Sequence, residues 1–200
     1  MDSIGMDSMN QQGAAVLAQA AQAQQSNGAG RPKASDLVTA LQATEKDTKP
    51  DYGLADLVGT WRLCFITGTK KTRQKAGVAL GAGRYLPKLI KIQLAYQADT
   101  DDQGQVQNSV ALGQLHLVLT GPVKFWTKSR CLGFDFTQIR IGLGQFTLYQ
   151  GRIKPEAADQ DFYEQPLKEQ AFFKYFWVTD GGIAARGRGG GLALWYRAAG

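Results

Sequence analysis

The sequence predicts an all-β fold: an antiparallel up-and-down β-barrel preceded by a short helix and a disordered N-terminal tail. Three observations predict it. Eight to ten short runs of alternating apolar and polar residues recur from Trp61 to Arg197. Glycine is abundant, at 24 of 200 residues, which suits many tight turns. No convincing helix pattern separates the runs, and closing many short strands into a barrel removes their open edges. The domain reading is a Gln/Ala-rich tail over 1–34 and a barrel domain over 35–200.

Residues 1–34 are dominated by Gln, Ala, Ser, Gly and Asn. Ala and Gln favour helix over 14–25, but no broad apolar stripe accompanies them. The expectation is disorder, or a helix formed only against a partner. Ser35 is placed to cap a helix from Asp36 to about Glu45, with Leu37, Val38 and Leu41 as its apolar face. The first strand follows a turn at Gly59. Trp61, Leu63 and Phe65 share one face and Arg62, Cys64 and Ile66 the other. Gly59 admits the chain without Cβ strain, and Trp61 is expected to plug one end of the barrel. A cation from the last strands, Arg186 first and Arg197 second, is expected on its indole face.

Residues 68–88 read as a long connection carrying Lys70, Lys71, Arg73, Lys75 and Arg84, interleaved with Val78, Leu80, Tyr85 and Leu86. Cations interleaved with apolar residues suit an anionic membrane surface, so these five are the candidate membrane-binding residues. Further alternating runs follow at 89–97, 106–112 and 115–119. Gly121-Pro122 is expected to end the last of them. Runs at 123–127, 131–141 and 146–153 come next. Residues 154–170, with two prolines and five acidic residues, read as a surface excursion, and 172–178, 183–186 and 192–197 complete the strands.

Net charge is +6, and all of the excess lies after residue 50. A basic folded part fits an anionic partner or a mildly basic soluble domain equally. Cys64 and Cys131 sit among apolar neighbours and are expected as buried free thiols. One histidine, His116, and two distant cysteines cannot make an ordinary zinc site, and no Ser-His-Asp set exists without that histidine. No catalytic and no metal-binding residue is assigned, and the expectation is a non-enzyme. Arg186-Gly187-Arg188-Gly189 between two apolar strands reads as a hairpin rather than an RNA-binding tract, so no nucleic acid is expected.

Three features together resemble one family. They are the leading helix followed by LADLVGTWRLCFITG, then Arg84-Tyr85-Leu86-Pro87, and then the ending from Phe176 through Asp180, Arg186-Gly187 and Gly189-Gly190 to Leu194. Residues 35–197 resemble the plastid lipid-associated (PAP, fibrillin) proteins of cyanobacteria and plastids. The sequence departs where the family has Arg-Ile before its Arg-Gly; Ile183 and Ala184 stand there, and Arg188 replaces an acidic residue. The resemblance implies a lipocalin-like barrel. It further implies a cyanobacterial protein in the cytoplasm, peripheral to the thylakoid membrane or to lipid globules. The implied ligand is a lipid, carotenoid or quinone, with no covalent cofactor.

Two functions follow from these readings. In the first, an apolar ligand sits in the barrel mouth against Trp61, Phe65, Tyr96, Phe134, Phe136 and Trp177. In the second, the barrel is filled by its own side chains and serves as an accessory subunit docked on a photosynthetic membrane complex. The aromatic residues suit either, because they fill a core as readily as they line a pocket. Gly59, Trp61 and Arg186 are the expected structural residues.

Overall fold

The structure is a computed structural model that describes residues 3–26, 29–47, 51–68 and 83–198. Its elements in chain order are α1 (Ser3–Gln25), α2 (Ala34–Asp47), α3 (Leu54–Leu57), β1 (Gly59–Thr67), β2 (Gly83–Tyr85), β3 (Ile90–Ala98) and β4 (Gln103–Leu112). They continue with β5 (Leu115–Trp126), β6 (Cys131–Phe134), β7 (Gln138–Leu143), β8 (Phe146–Arg152), α4 (Ala157–Glu164), β9 (Ala171–Val178), β10 (Gly182–Gly187) and β11 (Leu192–Arg197).

The fold is an antiparallel β-barrel. Strand pairing runs β4-β3-β1-β11-β10-β9-β6-β5, and β5 pairs back onto β4, which closes a ring of eight strands. Strands β7 and β8 extend from β5, and β2 pairs with β1. The chain divides into two compact units. One comprises Met1–Asp51, Cys64–Leu86 and Tyr175–Arg197; the other comprises Tyr52–Leu63, Pro87–Lys174 and Ala198–Gly200.

In the first unit, Leu17, Ala20 and Ala21 of α1 and Leu37, Val38 and Leu41 of α2 bury against Cys64, Phe65, Phe176, Leu192 and Leu194. Of the two expectations for 1–34, disorder or a helix formed against a partner, α1 is a helix over Ser3–Gln25. The partner that orders the helix is this chain's own α2 and strands. Leu17 is 0% exposed, and small alanines let the helix approach closely without a wide stripe of large side chains. The Cys64 thiol donates to the Leu194 carbonyl at 3.3 Å, and Thr67 Oγ1 accepts from the Leu192 amide at 2.8 Å.

In the second unit, α3 makes one turn after Gly53, whose amide donates to the Asp56 carboxylate at 2.8 Å. Gly59 then takes φ 129°, a conformation open chiefly to glycine, and swings the chain into β1. Trp61 is fully buried on the same face as Leu94 and Tyr96 of β3, and its Nε1 donates to the Leu57 carbonyl at 2.7 Å. Val106, Val123, Phe125, Leu132 and Phe162 complete this core.

Two expectations change here. Gly121-Pro122 does not end a strand, because β5 runs through it. The first part of β5 pairs with β7 and the last part with β6. Pro122 sits at the changeover, where its carbonyl accepts the Asp135 amide. A Cβ on Gly121 would lie 2.3 Å from the Asp135 carbonyl oxygen, so the neighbouring backbone needs glycine there. The acidic excursion holds helix α4, anchored by Phe162 at 1% exposure.

Candidate functional site

Register determines which side chains share a face in the second unit. In the β3–β4–β5–β7–β8 segment, Leu94 stands opposite Asn108, Ile92 opposite Val110 and Ile90 opposite Leu112. Leu117 lies between Val110 and Ile141, and Leu115 between Leu112 and Leu143. Ile141 pairs with Tyr149 and Leu143 with Phe146 across the last hairpin, whose register shifts between Ile141 and Gly142. Alternation with period two keeps all these residues on one face.

That face is the core face, and its cover runs out along the strands. On β4, Val106 is 1% exposed, Val110 is half-buried and Leu112 is 55% exposed. On β5, Val123 is buried, Leu117 and Leu119 are half-buried, and Leu115 is exposed. Leu143, Phe146 and Tyr149 are exposed beside it. The apolar interior therefore emerges at the β4–β5 and β7–β8 turns, each of which has a glycine at positive φ, Gly113 and Gly144. Leu89 (80% exposed), Lys88 and Lys91 stand at the same end, because β3 begins opposite the end of β4. Large contiguous exposed apolar patches commonly mark binding surfaces.

The reverse face is polar. Gln107, Thr120, Gln138, Arg140 and Gln150 line a shallow cleft of about 250 Å³ there. The only ion pair that Arg152 makes in the described residues is with Asp159, at 2.7 Å. Burial opposes charge on the Asp159 carboxyl, but the Arg152 guanidinium beside it holds it below its ordinary value.

The sequence candidates separate into several environments. Trp61 and Tyr96 belong to the closed core of the second unit, and Phe65 to that of the first. All three are buried, packed side chains. Phe134 packs tilted against Phe136 at 5.5 Å and stacks on Phe173 at 5.0 Å, all in the second unit. Trp177 lines a cleft of about 590 Å³ in the first unit, facing Ala14, Ala15, Ala18 and Ala21 of α1.

Lys70, Lys71, Arg73 and Lys75 lie outside the described residues. Arg84 is exposed on β2. Arg186 is half-buried in the first unit. Its guanidinium is engaged by Glu45 of α2, with Nε to Oε1 at 2.5 Å and a second bond from Nη2 to Oε2, while Nη1 reaches the Gly190 carbonyl at 2.6 Å. Arg197 Nε donates to the Asp180 carbonyl at 2.7 Å.

Both cysteines are free and buried. Burial pushes the Cys64 thiol up to about 12 and raises that of Cys131. Neither is poised as a thiolate nucleophile. No group of metal-ligating side chains occurs among the described residues. The exposed hairpin ends were missed as a site because alternation identifies an apolar face but not what covers it. The available signal was apolar residues flanking both turns, Leu112 and Leu115 at one, Leu143 and Phe146 at the other.

No protein-family model and no curated protein matches the sequence. Among solved structures, one redesigned β-barrel matches with TM-score 0.35 and 11% identity, over 74% of this chain and 96% of that one. Another redesigned β-barrel, mFAP1 bound to DFHBI, matches with TM-score 0.32 and 9% identity, over 74% of this chain and 100% of that one.

Proposed function

We propose that this is a non-catalytic binding protein that attaches to a lipid surface through the ends of its β4–β5 and β7–β8 hairpins. The observation that carries the reading is the loss of cover along the core face, from Val106 at 1% to Leu112 at 55% exposure. Leu89, Leu115, Leu143 and Phe146 offer apolar side chains at the same end, and Lys88 and Lys91 offer cations. Apolar insertion together with cations near anionic headgroups is the usual chemistry of peripheral membrane binding. The resemblance to the fibrillin proteins supports a thylakoid or lipid-globule surface, and an isoprenoid, carotenoid or quinone as the molecule sheltered there.

A second reading is an accessory subunit that docks on a photosynthetic membrane complex by the same surface. The complete burial of Trp61, Phe65 and Tyr96 favours it, since these side chains fill space that a carrier would leave open. Vesicle flotation tests the lipid reading. The protein should float with anionic vesicles, less so at high salt, and the double variant Leu115→Ser, Leu143→Ser should lose binding. Unchanged flotation of that variant would refute attachment through these hairpins.

A further inference from the structure

Two indole nitrogens of this chain are held by it. Trp61 Nε1 donates to the Leu57 carbonyl, and Trp126 Nε1 donates to the Gln170 side-chain oxygen at 3.0 Å. Trp177 differs. It is only 8% exposed, yet its Nε1 makes no hydrogen bond among the described residues. An indole N–H can only donate, and a buried one ordinarily has an acceptor. The Cζ3 edge of the ring stands against Gly182 of β10, where an added Cβ would come within 2.8 Å. Nε1 is therefore on the ring edge turned away from that strand.

The space beside this ring is the cleft of about 590 Å³ in the first unit. Ala14, Ala18 and Ala21 recur on one face of α1, and side chains this small leave the space open. The polar neighbours Thr179 and Gln25 are already engaged. Thr179 Oγ1 donates to the Gly182 carbonyl at 3.0 Å and accepts the Gly182 amide at 3.1 Å, and Gln25 Nε2 donates to the Arg197 carbonyl at 3.2 Å. None of the residues lining the cleft is charged. An anion entering it would lose water with no cation to meet it. The volume lies in the range of pockets that hold a small organic molecule.

We propose that this cleft binds a small, uncharged, mostly apolar molecule that carries a carbonyl oxygen, with Trp177 Nε1 as the donor to that oxygen. The alanine wall covers the apolar body, and the indole supplies the one directional contact. The absence of a lining cation selects a ketone or ester against a carboxylate of the same length. The site lies within the first unit, so it stands or falls separately from the hairpin surface of the second.

Proton–nitrogen correlation spectra of the full chain, labelled at the tryptophan indoles, test it. The chain has four tryptophans, and Trp177→Phe assigns the Trp177 signal by its loss. Hexyl methyl ketone should move that signal downfield in a saturable way, and octanoate at the same concentration should leave it in place. Ala18→Leu fills the cleft and should abolish the shift while the signal itself remains. Ala15→Leu lines the same cleft from an exposed position and should do likewise, and it decides the matter if the Ala18 variant fails to fold. A Trp177 signal that ignores the ketone, one that moves equally with octanoate, or a shift that persists in the folded leucine variants would each overturn the proposal.

Discussion

Arg186 of β10 grips Glu45 of α2 through two guanidinium nitrogens, across 141 residues of sequence. A third bond, from Nη1 to the Gly190 carbonyl, ties the same side chain across its own hairpin. The carboxylate holds the guanidinium charged and raises its affinity for the proton. The geometry is that of a planar fork, which lysine cannot reproduce. The side chains are 36% and 22% exposed, so solvent screens the pair. Arg186→Lys should cost about 0.5–1 kcal/mol. A double-mutant cycle with Glu45→Gln in urea should recover most of that as coupling. Zero coupling would show that the fork adds nothing.

Helix α1 is expected to matter for stability. Leu17→Ala removes a fully buried side chain and should cost roughly 2–5 kcal/mol. Deleting residues 1–26 uncovers Leu37, Leu41 and Leu194, so the melting temperature should fall by several degrees or more. A truncated chain that melts like the full one would mean that α1 does not hold this core.

Alkaline pH should weaken the fold through Cys64. Its thiol has an ordinary value of 9.0 and is pushed up to about 12 by burial. Because the folded value is the higher one, the stabilisation is complete below pH 9 and is lost as pH rises towards 12. Between those limits the loss is about 1.4 kcal/mol per pH unit. Burial also raises the Tyr85 phenol, which acts in the same direction. Denaturation curves between pH 8 and pH 11 should therefore be flatter for Cys64→Ala than for the wild type. Parallel curves would contradict this.

Trp61 carries two separable contributions. Trp61→Phe keeps an aromatic ring but leaves the Leu57 carbonyl without its donor, at a cost of about 1–3 kcal/mol. Trp61→Ala adds a cavity, for about 3–5 kcal/mol in all. Equal losses for the two variants would show that the hydrogen bond alone accounts for the effect.

What the sequence made legible follows from local rules. The alternation at Trp61, Leu63 and Phe65 and the turn at Gly59 needed only backbone geometry, and β1 forms as read. Helix α1 was hard to read because it buries one leucine and several alanines, a pattern that hydrophobic periodicity barely registers. Strand β5 continues through Gly121-Pro122 because its neighbour changes there, and neighbours are a tertiary property. Glu45 as the partner of Arg186 is equally a product of tertiary packing. The alternating apolar residues of β5 and β7 were readable as strand faces. Their exposure at the turns depends on what the chain fails to place over them, and no local pattern encodes that.

The two cysteines divide themselves between the two units, Cys64 in the first and Cys131 in the second, and both are buried free thiols. Each is therefore a chemical clock for its own unit. A thiol reagent reaches a buried sulfur only when the surrounding structure opens, so the labelling rate reports the frequency of that opening. Peptide-resolved labelling of the unmodified protein would time the two units separately, with no probe added. A matched pair of rates would mean that both open in one cooperative event, and a split pair would rank them.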